Sequence, residues 1–493
     1  LRINKALQTI KMATTWTETA PGVYEASLDG AETVYRKTAT VFAPLKREHW
    51  RLHTICRFNF GPGYSGPADK GTALRQAWKA LRYEFPGMIV APDNGFKKVY
   101  KTPNAESTQK WLDETFFVET KRTADEIISE AVPLQEVPSL YYLPATSEIL
   151  FFISHWRIDA MGSWMVTDRL FHHLANPSEE SLPDVPPANE IDRISPSLED
   201  AAGSPKVSTP EMDKVAADHI AAHHRNAIQM GGMPYKGDAT TLPASPKREA
   251  LIFTSESTQK AVAACKARGI TVTAAIHAAL AESVFAMGLP ESRENDYVTV
   301  MPVNLRNYLK EPYNGDGHAL QTYAGSITPR VPRHATFAER TSYLVEYYKT
   351  RYDPKLIECL RPIYKYHAEA LFKPRPAPAA ASDAAPATAP ASNGNTRPPP
   401  GPPSGISINS LGVVEKYFAG KYGESVDVET FTFGVSMITR QTMLYVWTWK
   451  GELTLSSEYN AAFHGPEEVR EVMLSIKRVL EKEMDISLDE VSR

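Results

Sequence analysis

The sequence predicts an α/β protein with mixed sheets, large enough for two lobes. Three observations carry this. Helical and strand signals alternate along most of the chain, 493 residues exceed what one ordinary core holds, and an apolar strand runs straight into an amphipathic helix near residue 155. Hydrophobic residues at 42% and charged residues at 23% match a globular protein with a real core.

The elements follow in chain order. Ala73 to Phe85 places Leu74, Ala77, Trp78 and Leu81 on one helical face, and Pro86-Gly87 ends it. Glu148 to Ser154 is apolar on both alternating faces, as in a strand covered on both sides. Met161 to Ala175 then has helical spacing. A helix is expected at Val272 to Met287, followed by a strand at Tyr297 to Val303. Met443 to Leu455 reads as one long strand, and Pro466 to Glu481 as the closing helix.

Composition shifts divide the chain. Residues 374–405 are rich in Pro, Ala and small polar residues and offer too little apolar area to offset ordering entropy, so a disordered insertion is expected there. Asn176 to about Pro210 is polar and Pro-rich, like a crossover between lobes. The expected division is an N-terminal lobe at 12–180, a crossover region at 181–245, and a C-terminal lobe at 246–373 and 406–493. Met12 opens a Thr-rich stretch, which sets residues 1–11 apart as an upstream extension.

Charge and cysteine content exclude several classes. With 54 basic and 58 acidic residues the net charge is −4, and no run of Lys and Arg tracks a phosphate backbone, so nucleic acid is not an expected partner. No stretch has the roughly 18 uninterrupted apolar residues of a membrane span, and the first residues lack a signal-peptide core. The expected compartment is the cytosol, with no membrane association. Cys56, Cys265 and Cys359 form no CxxC pair and read as reduced, buried thiols.

The chemistry concentrates at the end of the buried strand, where His155-Trp156-Arg157-Ile158-Asp159 makes an HxxxD pattern. A histidine there can project into a cleft, and its ordinary pKa near neutrality suits a general base. Asp159 need not touch the imidazole. A buried carboxylate must find a partner, and an arginine would hold the loop in shape.

Other motifs carry less. Gly61-Pro62-Gly63-Tyr64-Ser65-Gly66 satisfies GxGxxG, but Pro62 and Pro67 remove amide donors that a phosphate needs, so a turn accounts for it. His219, His223 and His224 have helical spacing without an HExxH pattern, and read as a solvated helix face; no metal is expected. There is no GxSxG elbow and no P-loop.

Five segments, in this order, resemble the chloramphenicol acetyltransferase-like superfamily, which includes plant acyl-CoA transferases, condensation domains and fungal trichothecene acetyltransferases. They are the helix from Leu74 with Pro86-Gly87, the HxxxD pattern, Thr271 to Ala281 followed by Val300 to Arg306, Ile408 to Gly412, and Phe431 to Gly434 followed by Tyr445 to Trp449. The last of these resembles a closing sheet hairpin. His155 to Asp159 and Asn409 to Glu415 resemble the fungal trichothecene 15-O-acetyltransferases in particular.

The resemblance implies two lobes of sheet and helix with an active-site channel between them. By position, His155 is the implied general base, Asp159 its structural neighbour and Arg306 the partner of Asp159. Asn409 and Ser410 are implied sources of an oxyanion or channel donor. The implied reaction moves acetyl from acetyl-CoA to a hydroxyl of a small secondary metabolite, a trichothecene-like sesquiterpenoid, with acetyl-CoA as cosubstrate, no permanently bound cofactor and a monomeric enzyme. The alternatives are a condensation-type catalyst using carrier-bound acyl groups and a catalytically silent binding protein of the same fold. Three departures stand out: Ala160 where many members have glycine after the aspartate, Ser154 where condensation domains have a second histidine, and no acidic residue before Phe433-Gly434.

Overall fold

The computed structural model describes residues 16–93, 96–131, 134–177, 182–186, 189–226, 230–238, 240–289, 292, 294–350, 352–372 and 404–491. The upstream extension and residues 374–403 of the expected insertion lie outside them. Of the insertion's end, Ser404 is described and pairs by its backbone with Met233.

Two sheets organise the chain. The first has six strands in the order Lys421–Tyr422, Val426–Val435, Leu52–Phe60, Glu148–Ile153, Ser139–Leu143, Phe116–Val118. All neighbours are antiparallel except the last two. The second has four: Ile406–Val413, Thr442–Trp449, Glu452–Asn460 and Pro246–Ile252, the first pair parallel.

Each sheet buries its apolar residues against helices. Helix Lys70–Glu84 is capped by Asp69, which accepts from the Thr72 amide at 2.7 Å, and its Leu74, Ala77, Trp78 and Leu81 stripe is buried. Together with helix Ala160–Ala175 it covers the first sheet. The second sheet is covered by Pro466–Met484, whose Val469, Val472, Met473, Ile476 and Leu480 follow the helical repeat. Beside it lies Val272–Met287, capped by Thr271 and so apolar all round that eleven of its residues are buried.

Three expectations are corrected. Val426–Val435 hydrogen-bonds to Leu52–Phe60, and Lys421–Tyr422 to Val426–Val435, so both strands extend the N-terminal sheet. Consequently Phe431 to Gly434 does not form a hairpin with Tyr445 to Trp449; alternation sets which face a residue takes but not which strand it pairs with. Met443 to Leu455 is two strands, because Lys450 and Gly451 both take positive φ, 47° and 80°, and turn the chain. Tyr297 to Val303 likewise splits into Tyr297–Val298 and Met301–Asn304, which pair in separate two-stranded ribbons.

Among the described residues no single helix is long and apolar enough to cross a membrane. Cys56, Cys265 and Cys359 are unbridged and buried.

Candidate active site

His155 follows strand Glu148–Ile153 after one residue, Ser154, and Asp159 caps the helix that begins at Ala160. The rigid strand therefore delivers the imidazole, and the helix N-terminus holds the carboxylate. Asp159 accepts the Gly162 amide at 2.8 Å and the Tyr323 amide at 2.7 Å. One guanidinium nitrogen of Arg306, Nη1, donates to both carboxylate oxygens at 2.7 and 2.6 Å. Four contacts fill the acceptor capacity of a carboxylate, so Asp159 has none left for the imidazole.

The pair is deeply buried, with Arg306 only 2% exposed. Nη2 of Arg306 reaches the carbonyls of Gln321 and Ala319 at 3.2 and 3.4 Å. The same short segment grips His155 itself, since the Thr322 hydroxyl donates to the His155 carbonyl. Gln321 donates in turn to buried Glu32 at 2.9 Å. Residues 319–323 thus clamp the HxxxD turn from the far side, and nothing local in their sequence marks them for it.

Glycine is required at 162 and not at 160. A Cβ at Gly162 would lie 2.2 Å from the Ala319 carbonyl oxygen and 3.0 Å from Nη2 of Arg306. Ala160 is the first helical residue, where alanine fits without strain.

The imidazole is held by rings. Tyr35 stacks on it with centroids 4.4 Å apart and planes 19° apart, and Trp50 lies at 6.2 Å. Trp50 takes a φ of 63°, a strained conformation for a bulky side chain, fixed by its amide donating to the Ser436 carbonyl at 2.9 Å. His49 stacks on Trp50 at 4.9 Å and accepts the Ile438 amide at its Nδ1, 3.1 Å away. Neither Tyr35, His49 nor Trp50 was singled out by sequence, because they come from a helix and a loop more than 100 positions away.

Burial pushes the His155 imidazole below its ordinary pKa, while its own carbonyl, the Asp159 charge and the Ile158 carbonyl pull the other way. Nδ1 is sealed and makes no well-formed hydrogen bond, yet the residue keeps partial exposure. Burial also pushes His49 down to about 3, with the His155 charge adding to the effect.

Asn409 and Ser410 are successive residues of one strand and face opposite ways. Ser410 is turned to the helix side, its hydroxyl 2.7 Å from that of Thr273. Asn409 faces the other side, beside the Tyr445 hydroxyl. The strand brings only Asn409 of the two beside Tyr445.

The remaining motifs lie elsewhere. Gly61 to Gly66 is a turn packed on Glu424, whose carbonyl oxygen would be 2.2 Å from a Cβ at Gly61. His219, His223 and His224 lie on helix Pro210–Asn226, with His223 6.0 Å from His367; among the described residues no group of three such side chains is placed to hold a metal ion. Two surface cavities, about 550 Å³ around Arg82 and Trp111 and about 330 Å³ around Met287 and Val472, contain none of the HxxxD residues.

The site therefore presents a partly exposed histidine just past a strand end and a neighbouring aspartate committed to an arginine. The chain is 51% identical to "O-acetyltransferase pigM" of Monascus ruber over 97% of its length and 89% of that protein. The chain belongs to this family of fungal O-acetyltransferases. "Azaphilone biosynthesis cluster protein M" of Aspergillus terreus is 36% identical, covering 96% and 98% of the two chains. No protein-family model matches.

Among solved structures, the trichothecene 15-O-acetyltransferase TRI3 of Fusarium sporotrichioides superposes with a TM-score of 0.74 at 17% identity, covering 94% of this chain and 96% of that one. The first condensation domain of the calcium-dependent antibiotic synthetase superposes at 0.61 with 14% identity, over 97% and 100%. The fold is the two-lobed acyltransferase fold of these structures, and the protein is an acetyltransferase.

Proposed function

We propose that the protein transfers acetyl from acetyl-CoA to a hydroxyl of an oxygenated polyketide of the azaphilone type. The observation that carries this is His155, buried against Tyr35 yet partly exposed, next to an aspartate with no capacity to share a proton. The trichothecene acceptor implied by resemblance has less behind it, because the TRI3 likeness at 17% identity extends to the fold alone. The relative named for an azaphilone cluster supports the polyketide acceptor.

In this reading the unprotonated His155 takes the acceptor's hydroxyl proton as the oxygen attacks the thioester carbonyl, so no free alkoxide forms. The C–O bond forms, the tetrahedral oxyanion collapses, and the C–S bond breaks. The imidazolium then passes its proton to the leaving thiolate, and the base is regenerated. Asn409 is the donor we favour for the oxyanion, worth a few kcal/mol if aligned. Arg306 and Asp159 take no proton; they hold the turn. Joining both substrates beside one imidazole supplies much of the rate.

Purified protein is incubated with acetyl-CoA and a panel of azaphilone-type alcohols and hydroxylated sesquiterpenoids, following thiol release and product mass. The wild type should acetylate the polyketide alcohols, and His155→Ala should lose about a hundredfold or more. Equal activity in the two proteins removes His155 as base. Transfer only from a carrier-bound acetyl group would replace the CoA reading with a condensation-type one.

A further inference from the structure

Glu458 lies on strand Glu452–Asn460 and His53 on strand Leu52–Phe60, in different sheets, and they meet over Gly434. A Cβ on Gly434 would be 2.2 Å from Oε1 of Glu458 and 2.6 Å from Nε2 of His53. Glycine at this position keeps open the space in which the two polar ends approach. Glu458 is 2% and His53 1% exposed. Among the described residues, neither nitrogen of His53 nor Oε1 of Glu458 has a hydrogen-bond partner.

Buried polar atoms are nearly always paired, and each orphan costs on the order of 1–3 kcal/mol. Nε2 of His53 and Oε1 of Glu458 lie unpaired over the same glycine, where one bound polar group could satisfy both. Burial raises the Glu458 carboxyl well above its ordinary pKa and pushes His53 down to about 3, so burial favours the uncharged form of each. Arg248, whose charge opposes that rise, is itself paired with Asp125 at 3.3 Å.

Side chains link the pair to His155. Tyr445 lies within electrostatic reach of Glu458 and of the Tyr35 hydroxyl, and Tyr35 is the ring stacked on His155. Gly434 is two residues before Ser436, which fixes Trp50. Ser456, on the same face of the strand as Glu458, adds a further buried hydroxyl without a partner.

We propose that Glu458 and His53 form a hydrogen-bonding subsite for a second oxygen function of the acceptor, a carbonyl or enol set apart from the hydroxyl that is acetylated. The protonated carboxyl donates its O–H to the carbonyl, and Nε2 of His53, donor or acceptor according to its tautomer, meets an enol. The proposal rests on the acetyl-transfer reading for its acceptor and adds a specificity-determining pair to it. An alcohol lacking the second oxygen leaves the pair unsatisfied and is rejected for that reason.

The test compares wild type, Glu458→Gln, Glu458→Leu and His53→Phe with an azaphilone-type alcohol and the same alcohol after reduction of its ring carbonyl. Steady-state constants, melting temperature and equilibrium binding of the keto alcohol without acetyl-CoA are measured for each. Glu458→Leu should raise KM for the keto alcohol about tenfold, with KM for acetyl-CoA unaltered. It should also melt higher than wild type, because a buried orphan acid is gone; Glu458→Gln, which keeps a donor, should bind nearly as wild type. His53→Phe should weaken keto-alcohol binding in the same direction.

A lower melting temperature in Glu458→Leu with acceptor binding unchanged would show that acid and imidazole serve only each other, and the proposal would fall. Keto-alcohol binding weakened by Glu458→Leu, in a wild type that releases no thiol with any alcohol, keeps the subsite and faults the transfer reading instead.

Discussion

Arg306→Met isolates the role of the Asp159 contact. The substitution keeps much of the side-chain bulk but leaves a carboxylate buried and uncompensated beside the Gly162 and Tyr323 amides. Breaking a buried ion pair from one side costs about 3–5 kcal/mol, far more than the pair contributes relative to an apolar replacement. A 493-residue chain that unfolds cooperatively does so with an entropy of about 1 kcal/mol per kelvin, so the melting temperature should fall by about 3–5 °C. Asp159→Asn added to Arg306→Met removes the stranded charge while an amide oxygen still caps the helix, and should recover part of the loss as a coupling of about 1–3 kcal/mol. Differential scanning calorimetry of wild type, both single variants and the double variant measures this directly. Activity should fall in Arg306→Met through kcat, because the segment that holds Asp159 also holds the His155 carbonyl. A melting temperature within 1 °C of wild type in Arg306→Met, or strict additivity in the double variant, would refute the reasoning.

Two further outcomes are expected. Burial is the largest influence on His155 and lowers its pKa, so the base stays unprotonated below the ordinary imidazole range: the acid limb of kcat/KM should fall below pH 6.5, and a limb at 7 or above in a pH profile would contradict it. Gly162→Ala forces a Cβ against the Ala319 carbonyl and should destabilise by about 1–3 kcal/mol with loss of activity, whereas Ala160→Gly at the first helical position should cost under about 1 kcal/mol; urea unfolding of both separates the two glycine positions.

The parts of this structure that are local in sequence were legible there. The strand before His155 and the helix after Asp159 show in hydrophobic spacing, and the α/β class with mixed sheets shows in the alternation of elements. Arg306 was reachable only through the order of family-like segments, being 147 positions from Asp159. Tyr35, Trp50 and residues 319–323 were not reachable, because packing against the imidazole is a property of assembled elements and leaves no periodic trace. The turn at Lys450-Gly451 was missed because a lysine in left-handed backbone carries no Asn-Gly signature. Strand Val426–Val435 was assigned to the wrong sheet for a related reason: its alternation fits either neighbour.

That strand has a consequence for how the protein can be taken apart. Removing everything from residue 421 onward would strip Leu52–Phe60 of its neighbour along nine paired positions and present a naked, apolar sheet margin, the kind of surface that recruits other chains. The N-terminal half is therefore not a detachable module, and grafting it onto a foreign partner to reprogram acceptor choice would require carrying the borrowed strand along with it.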